Sequence, residues 1–87
     1  MLPALSREVK VAMKELIVYV AESLVTQPDE VQVTETEDGG TTVYQLHVSA
    51  EDMGKVIGRQ GRIANALRTL LKASAARHNR RAVLEIV

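Results

Sequence analysis

The chain has 87 residues and no cysteine, which suits one small domain with a single core and excludes disulfides and thiolate metal sites. No apolar run reaches the roughly 18 residues of a membrane-spanning helix, and the N-terminus lacks the charged and apolar regions of a signal peptide. The two histidines, His47 and His78, lie too far apart in the sequence to indicate a ligand pair. We therefore expect a cytoplasmic protein with no metal or other cofactor.

The net charge is zero, but basic and acidic residues are segregated along the chain. Residues 1–53 hold three basic and ten acidic side chains, whereas residues 54–81 hold eight basic side chains and no acidic one. A basic segment of this kind supplies the sequence-independent part of nucleic-acid affinity. The alternative is an ordinary solvated helix face, so charge alone does not decide the function.

The first predicted element is a helix that Ser6 caps and that ends near Val25, because Pro28 cannot continue it. Its apolar residues follow the three-four spacing of one buried helix face: Val9, Ala12, Met13, Leu16, Ile17, Val20, Ala21 and Leu24.

Two β-branched runs follow, at residues 31–36 and 42–48, and the glycines of Asp38-Gly39-Gly40 predict a hairpin turn between them. In the second run Tyr44, Leu46 and Val48 share one face of the strand. His47 points to the other face with Val43 and Gln45, which favours a half-exposed strand residue over a catalytic base.

A short helix is predicted next, started by a capping-box spacing between Ser49 and Asp52. Its buried side consists of Met53, Val56 and Ile57. Gly54 inside this helix indicates either a close approach of another backbone or a tight packing contact.

Gly58 and Gly61 stand three residues apart between two predicted helices, with Arg59 and Gln60 between them. Glycine is needed where φ is positive or where another backbone comes close. The turn can therefore bring its backbone amides to a phosphate chain. Three basic side chains in and beside it are placed to neutralise the phosphates: Lys55, Arg59 and Arg62.

A helix over residues 62–78 and a strand over residues 81–87 complete the chain. The helix pattern places Ile63, Leu67, Leu70 and Ser74 on the buried face. Asn79 is predicted to end the helix in the left-handed conformation. A further apolar flank consists of Ala64, Leu71 and Ala75.

The run from Val56 to Gly61 reads VIGRQG and resembles the GxxG loop of KH domains, which clamps about four nucleotides of a single strand. The wider run from Glu51 to Ala66 is similar to the small bacterial RNA-binding proteins of the KhpA (YlqC) family. Bases would lie in a groove floored by Val56, Ile57 and the middle strand. The resemblance assigns RNA binding to these residues: Gly58, Arg59, Gln60, Gly61, Lys55, Val56, Ile57 and Arg62.

The order helix, strand, strand, helix, helix, strand matches the type II arrangement of KH domains. It predicts an α+β fold with a three-stranded mixed sheet, in which the last strand lies parallel to the middle one and the helices cover one face. The resemblance begins near Met13, so we expect a KH domain over residues 13–87. Residues 1–12 are then an N-terminal extension that continues the first helix.

The resemblance also implies an RNA chaperone or post-transcriptional regulator acting with a second KH protein, KhpB (Jag), in the control of cell-wall synthesis and cell shape. A clamp of about four nucleotides binds weakly, so we expect a homodimer or a heterodimer with the KhpB-type protein. The flank of Ala64, Leu71 and Ala75 is the candidate partner face. The alternative is that these three residues pack under the first helix.

Two other functions stay open at this stage. A sequence-independent DNA-backbone binder of the helix-hairpin-helix class also uses glycine turns, although it expects GxG instead of GxxG. A protein-interaction adaptor could keep the KH fold without binding RNA, but the basic loop argues against it. An enzyme has the least support, because the sequence contains no nucleophile–base pair, no paired-carboxylate signature and no GxxxxGK[ST] loop.

Overall fold

The computed structural model describes residues 5–87, and residues 1–4 of the predicted N-terminal extension lie outside the described residues. The element order is helix, strand, strand, helix, helix, strand, and the predicted α+β architecture is confirmed. The elements are α1 Arg7–Leu24, β1 Gln32–Asp38, β2 Thr41–His47, α2 Met53–Ile57, α3 Arg62–Ala76 and β3 Arg81–Ile86. Within residues 5–87, no helix is long and apolar enough to cross a bilayer.

Helix α1 begins as the sequence predicts, because the Ser6 hydroxyl oxygen accepts a hydrogen bond from the Val9 amide at 3.3 Å. It continues through residues 12 and 13 without a break and ends at Leu24. Met13, Ile17 and Ala21 form its buried row at a spacing of four residues. This row places α1 on one face of the sheet.

The sheet has β2 in the middle, antiparallel to β1 and parallel to β3, as predicted. Gly39 and Gly40 connect β1 to β2, and both have the positive φ that a tight two-residue hairpin favours. Along β2, Thr42, Tyr44 and Leu46 point into the core. The predicted alternation is therefore confirmed, and His47 is exposed on the opposite face.

Tyr44 is the largest fully buried side chain and connects the sheet to α1. Its hydroxyl donates a hydrogen bond to the Lys10 carbonyl oxygen at 3.0 Å. Burial, with a smaller contribution from Glu35 and Glu37, raises the pKa of Tyr44 to about 12. The side chain is therefore neutral at physiological pH and acts as a structural donor.

Helix α3 packs on β3, but its rotation differs from the predicted one. The buried residues are Ala64, Leu67, Leu71 and Ala75, whereas Leu70 is 53% exposed. Two alanines in the buried row let the helix backbone come close to the sheet. The predicted partner face of Ala64, Leu71 and Ala75 is wrong, because these residues are only 2%, 1% and 0% exposed and belong to the core.

The end of α3 is closed by Asn79, which has φ 57° in the left-handed region, as predicted. The Asn79 amide donates to the Ala76 carbonyl oxygen and the Arg80 amide donates to the Ala75 carbonyl oxygen, each at 3.0 Å. This pair of bonds is the Schellman arrangement that ends many helices. It leads the chain directly into β3 at Arg81.

Candidate nucleic-acid interface

The loop between α2 and α3 has an unusual backbone at three of its four residues. Gly58 has φ 79° and ψ 169°, a region that is essentially restricted to glycine. Gln60 (φ 59°, ψ 25°) and Gly61 (φ 73°, ψ 15°) are both left-handed. The loop shape therefore depends on backbone conformations that most residues avoid.

The two loop glycines are required for different reasons. A Cβ atom at Gly58 would lie 2.8 Å from Cγ1 and 3.0 Å from the backbone nitrogen of Ile63, so no side chain fits without movement. At Gly61 the nearest atom is Nδ2 of Asn65 at 3.5 Å, an ordinary contact, and only the positive φ favours glycine. Gly58 therefore allows the half-buried Ile63 to close the base of the loop.

Gly54 does not have the role that the sequence predicts. It is exposed, and no atom outside its own helix lies within 4 Å of the position that its Cβ would take. The expectation of a close backbone approach or a tight contact within the protein is therefore wrong for this residue.

Two loop amides have no hydrogen-bond acceptor among the described residues. The Gly58 amide donates to the Gly54 carbonyl oxygen at 2.9 Å, and the Gly61 amide donates to the Gly58 carbonyl oxygen at 3.1 Å. Within residues 5–87, the amides of Arg59 and Gln60 donate to no backbone carbonyl. Adjacent free amides at a left-handed turn form a concavity suited to an anion.

The side chains around the loop divide into exposed groups and buried supports. Arg59, Gln60 and Arg62 are exposed. Val56 is only 1% exposed and Ile57 is half-buried, so Val56 supports the loop from the core. The expectation that bases rest on Val56 is wrong, because its side chain is not accessible.

The strand beside α3 is the edge strand β3, whereas the sequence predicts that the middle strand floors the groove. Arg68 of α3 reaches over this edge and its Nε donates to the Leu84 carbonyl oxygen at 3.3 Å. In residues 5–87 the sheet ends at β3, so no further strand covers this edge.

Asp52 holds the start of α2 in place, and this role was not visible in the sequence. Its Oδ1 accepts from the Thr26 amide at 3.0 Å and from the Thr26 hydroxyl at 2.9 Å. Its Oδ2 accepts from the Gln27 amide at 3.1 Å and from the Ser49 hydroxyl at 2.9 Å. The predicted capping box is therefore wrong in detail, because the carboxylate binds the chain after α1 instead of the Ser49 amide.

These bonds, led by the one from the Thr26 amide, hold the pKa of the fully buried Asp52 far below its ordinary value. Asp52 is consequently ionised at neutral pH. Lys55 lies 3.6 Å from Oδ1 of Asp52, measured from Nζ, and its side chain is about half exposed. Asp52 thus balances part of the Lys55 charge, whereas Arg59 and Arg62 form no ion pair within residues 5–87.

Apart from Lys55, the basic residues of the second half of the chain form no ion pair within residues 5–87. In residues 5–87 the ion pairs join Lys10 to Glu35 and Glu37, and Lys55 to Asp52. The exposed basic residues that take part in none of these pairs include Arg59, Arg62, Lys72, Arg77 and Arg81. No cluster of His, Cys, Asp or Glu in the described residues could hold a metal ion.

Comparison with known proteins gives a consistent result. The family model described as KhpA/KhpB, KH domain, matches residues 14–86. "RNA-binding protein KhpA" of Clostridium acetobutylicum is 53% identical over 75 residues, covering 86% of this chain and 100% of that protein. The proteins of the same name from Treponema pallidum and Listeria monocytogenes are 54% and 45% identical over 85% and 86% of this chain, and 92% and 99% of their own lengths. No solved structure matches the chain.

Proposed function

The chain belongs to the KhpA/KhpB family of KH domains, and on that premise we propose that it binds single-stranded RNA through the loop from Gly58 to Gly61. The observation that carries the proposal is the pair of free amides at Arg59 and Gln60, flanked by arginines that are in no ion pair within residues 5–87. Amides and guanidinium groups are the usual ligands of phosphate oxygens.

The proposed clamp grips the RNA backbone. A phosphate accepts hydrogen bonds from the Arg59 and Gln60 amides, and Gly58 and Gly61 leave room because neither carries a side chain. Arg62 at the start of α3 neutralises a neighbouring phosphate, and the Asp52 network keeps α2 in position behind the loop. Bases would face the groove between the loop and the edge strand β3.

The proposed binding tolerates many RNA sequences, because aromatic stacking surfaces are lacking near the loop. Tyr44 is fully buried, and Tyr19 lies on α1 with 72% of its surface exposed. Proteins that bind single strands by stacking use exposed aromatic rings on the binding surface. Such tolerance is what an RNA chaperone or a general post-transcriptional regulator needs. Membership of the family supports a cytoplasmic role with a KhpB-type partner in the control of cell-wall synthesis and cell shape.

A titration with salt tests the clamp. Three or four phosphate contacts on a single strand predict a slope of log affinity against log salt of about −2 to −3. The slope is measured by fluorescence anisotropy with a labelled uridine oligomer. Arg62→Gln is expected to make the slope shallower by about 0.7, because one contact is lost.

Lys14→Gln is the matched control, because it removes one exposed positive charge from α1 without touching the loop. Its slope is expected to equal that of the unaltered protein. An affinity that does not respond to salt, or an Arg62→Gln slope equal to that of the control, would exclude the electrostatic clamp.

We also propose that the protein works as a dimer with itself or with a KhpB-type protein, since one loop grips few nucleotides and a linked second site raises the effective concentration. The predicted α3 face is buried, so pairing must use other surfaces. Exposed apolar side chains within residues 5–87 include Val11, Tyr19 and Leu70.

Light scattering at tens of micromolar protein is expected to give twice the monomer mass. Tyr19→Glu on α1 and Leu70→Glu on α3 each place a charge on one helix. The variant that returns the mass to that of the monomer identifies the helix in the interface. A monomeric mass both alone and with the KhpB-type protein contradicts this proposal.

A further inference from the structure

A second group of basic residues lies at the far end of α3 from the GxxG loop. We call it the far cluster: Lys72, Arg77, Arg80 and Arg81. Helix α3 has 15 residues, so its length separates Arg77, Arg80 and Arg81 from the loop by about 22 Å, and Lys72 lies about one turn nearer. A shallow polar hollow opens there between the β1–β2 hairpin turn and the start of β3. It is lined by Gly39, Gly40, Thr41, Ala76, Asn79, Arg80 and Arg81.

Arg80 is the unusual member of the far cluster. Its Nε and Nη2 atoms are covered by the protein, yet neither donates a hydrogen bond to any described residue. Buried guanidinium donors are normally satisfied, so an unpartnered pair calls for a physical explanation. The left-handed Asn79 and the bond from the Arg80 amide to the Ala75 carbonyl oxygen fix the backbone at this point. The Cα atom of Arg80 is therefore held beside the hollow.

Glu37 is the acid that the Arg80 charge influences, and its carboxylate is already engaged by other partners. Glu37 binds the Lys10 ammonium and accepts from the Thr42 hydroxyl at 3.0 Å, and the Lys10 bond holds its pKa below the ordinary value. Glu85 accepts from Gln45 at 3.1 Å. The backbone of Asp38 pairs with that of Thr41 across the hairpin, and Asp38 is not among the residues that line the hollow. Within residues 5–87, no carboxylate forms an ion pair with the far cluster.

A continuous polar track joins the far cluster to the loop. Asn65, Arg68 and Lys72 follow one another on α3 at spacings of three and four residues, so they share one side of the helix. Arg68 bonds to β3, which shows that this side faces the open edge of the sheet. A second hollow along the same edge is lined by Lys72, Ala76, Arg80, Arg81, Ala82 and Val83. No acidic residue occurs between Gly54 and Arg81 to interrupt the track.

We propose that the far cluster is a second phosphate-binding site for the same RNA strand that the GxxG loop holds, with Arg80 and Arg81 as its main ligands. This inference rests on the proposed function, since the loop supplies the first grip on the strand. A phosphodiester in the hollow would be an acceptor for the Arg80 guanidinium, whose covered nitrogens would turn outward to reach it. The glycines of the hairpin turn leave the space that such a group needs. The RNA footprint is then longer than the roughly four nucleotides of the loop alone.

The test compares uridine oligomers of about four and about twelve nucleotides, the shorter matching the loop clamp. Arg80→Gln with Arg81→Gln is expected to weaken binding of the longer oligomer by about tenfold and to make its salt slope shallower by about 1.4, because two phosphate contacts are lost. Binding of the shorter oligomer is expected to stay within about twofold, since the loop alone holds it. Lys72→Gln with Arg81→Gln repeats the test with two exposed residues, in case the loss of Arg80 disturbs folding.

Lys14→Glu changes the net charge by the same amount at a remote exposed position and serves as the control. If both double variants bind the longer oligomer like the control, with an unchanged salt slope, the far cluster is not an RNA site and the loop clamp survives. If the unaltered protein binds neither oligomer, the proposed function fails and this inference fails with it. Equal loss on both oligomers also overturns it, because a second site cannot affect a strand that does not reach it.

Discussion

Replacing Arg59 and Gln60 together by aspartate is expected to lower RNA affinity by about a hundredfold at physiological salt, because three unit charges change at the point of phosphate contact. The fold should be unaffected. Both side chains are exposed, and aspartate tolerates the left-handed backbone that Gln60 adopts at φ 59°. Gly58 and Gly61 stay in place to form the turn. Anisotropy with a labelled RNA measures the affinity, and a thermal melt reports the fold.

The matched control for the loop variant is Lys14→Glu with Thr36→Glu. It produces the same change in net charge at two exposed positions on α1 and β1. If the loss came only from general repulsion between protein and RNA, the control would lose as much affinity as the loop variant. We expect the control to lose less than about fivefold, because exposed charges beyond a Debye length of about 8 Å are largely screened. Equal affinities of the loop variant and the unaltered protein, with equal melts, would place the RNA site elsewhere.

The fold could be predicted from the sequence because each element carries a local signal. The Ser6 cap, the alternation of β2 and the two glycines of the hairpin each specify one conformation over a few residues. The strand bounds differ from the predicted ones by no more than two residues. Hydrogen bonding between strands extends pairing up to the turn, so Asp38 joins the ladder opposite Thr41 although aspartate is a poor strand former.

The rotation of α3 could not be predicted, because its sequence contains two apolar rows that both fit a helix. One row runs through Leu67 and Leu70, and the other through Leu67 and Leu71. The choice depends on how closely the helix approaches the sheet, which favours the row with alanines at positions 64 and 75. The spacing of apolar residues shows which rows of a helix are hydrophobic, but it does not show how close the helix lies to the sheet.

Only those parts of the candidate RNA site that are close together in the sequence could be predicted. The glycine pair and the basic residues around it are neighbours in the sequence, so their association could be predicted. The hydrogen bonds of Asp52 include one to Thr26, which lies 26 positions earlier in the chain. The hollow beside Arg80 is formed by a hairpin turn and a helix end. Such groupings depend on the tertiary fold, and no local pattern indicates them.

The three glycines near the loop are the same residue type, but the structure constrains each of them differently. Gly58 combines a positive φ with a close contact, Gly61 needs only the positive φ, and Gly54 needs neither. Composition treats the three residues alike. The difference between them gives a direct test of the loop geometry.

Gly58→Ala is expected to lower the free energy of unfolding by about 3 kcal/mol, through backbone strain at φ 79° and the contact of the new Cβ with Ile63. That loss is large for a chain of this length, whose total stability is about 4 to 13 kcal/mol. Gly54→Ala, four residues earlier, is expected to raise the free energy of unfolding by about 0.5 to 1 kcal/mol, because the helix there has space for a methyl group.

Urea denaturation of the two alanine variants and the unaltered protein measures this difference, with the midpoints ordered Gly54→Ala, unaltered protein, Gly58→Ala from high to low. Gly54→Ala is the matched control for Gly58→Ala, because both substitutions add one methyl group to the same short stretch of chain. Ile63→Val in the Gly58→Ala background shortens the side chain that the new Cβ meets. It should therefore recover part of the lost stability, whereas in the unaltered protein it should cost about 0.5 to 1.5 kcal/mol. Equal midpoints for Gly58→Ala and Gly54→Ala would show that the loop does not adopt this backbone, and the amides of Arg59 and Gln60 would then not be presented as the proposed clamp requires.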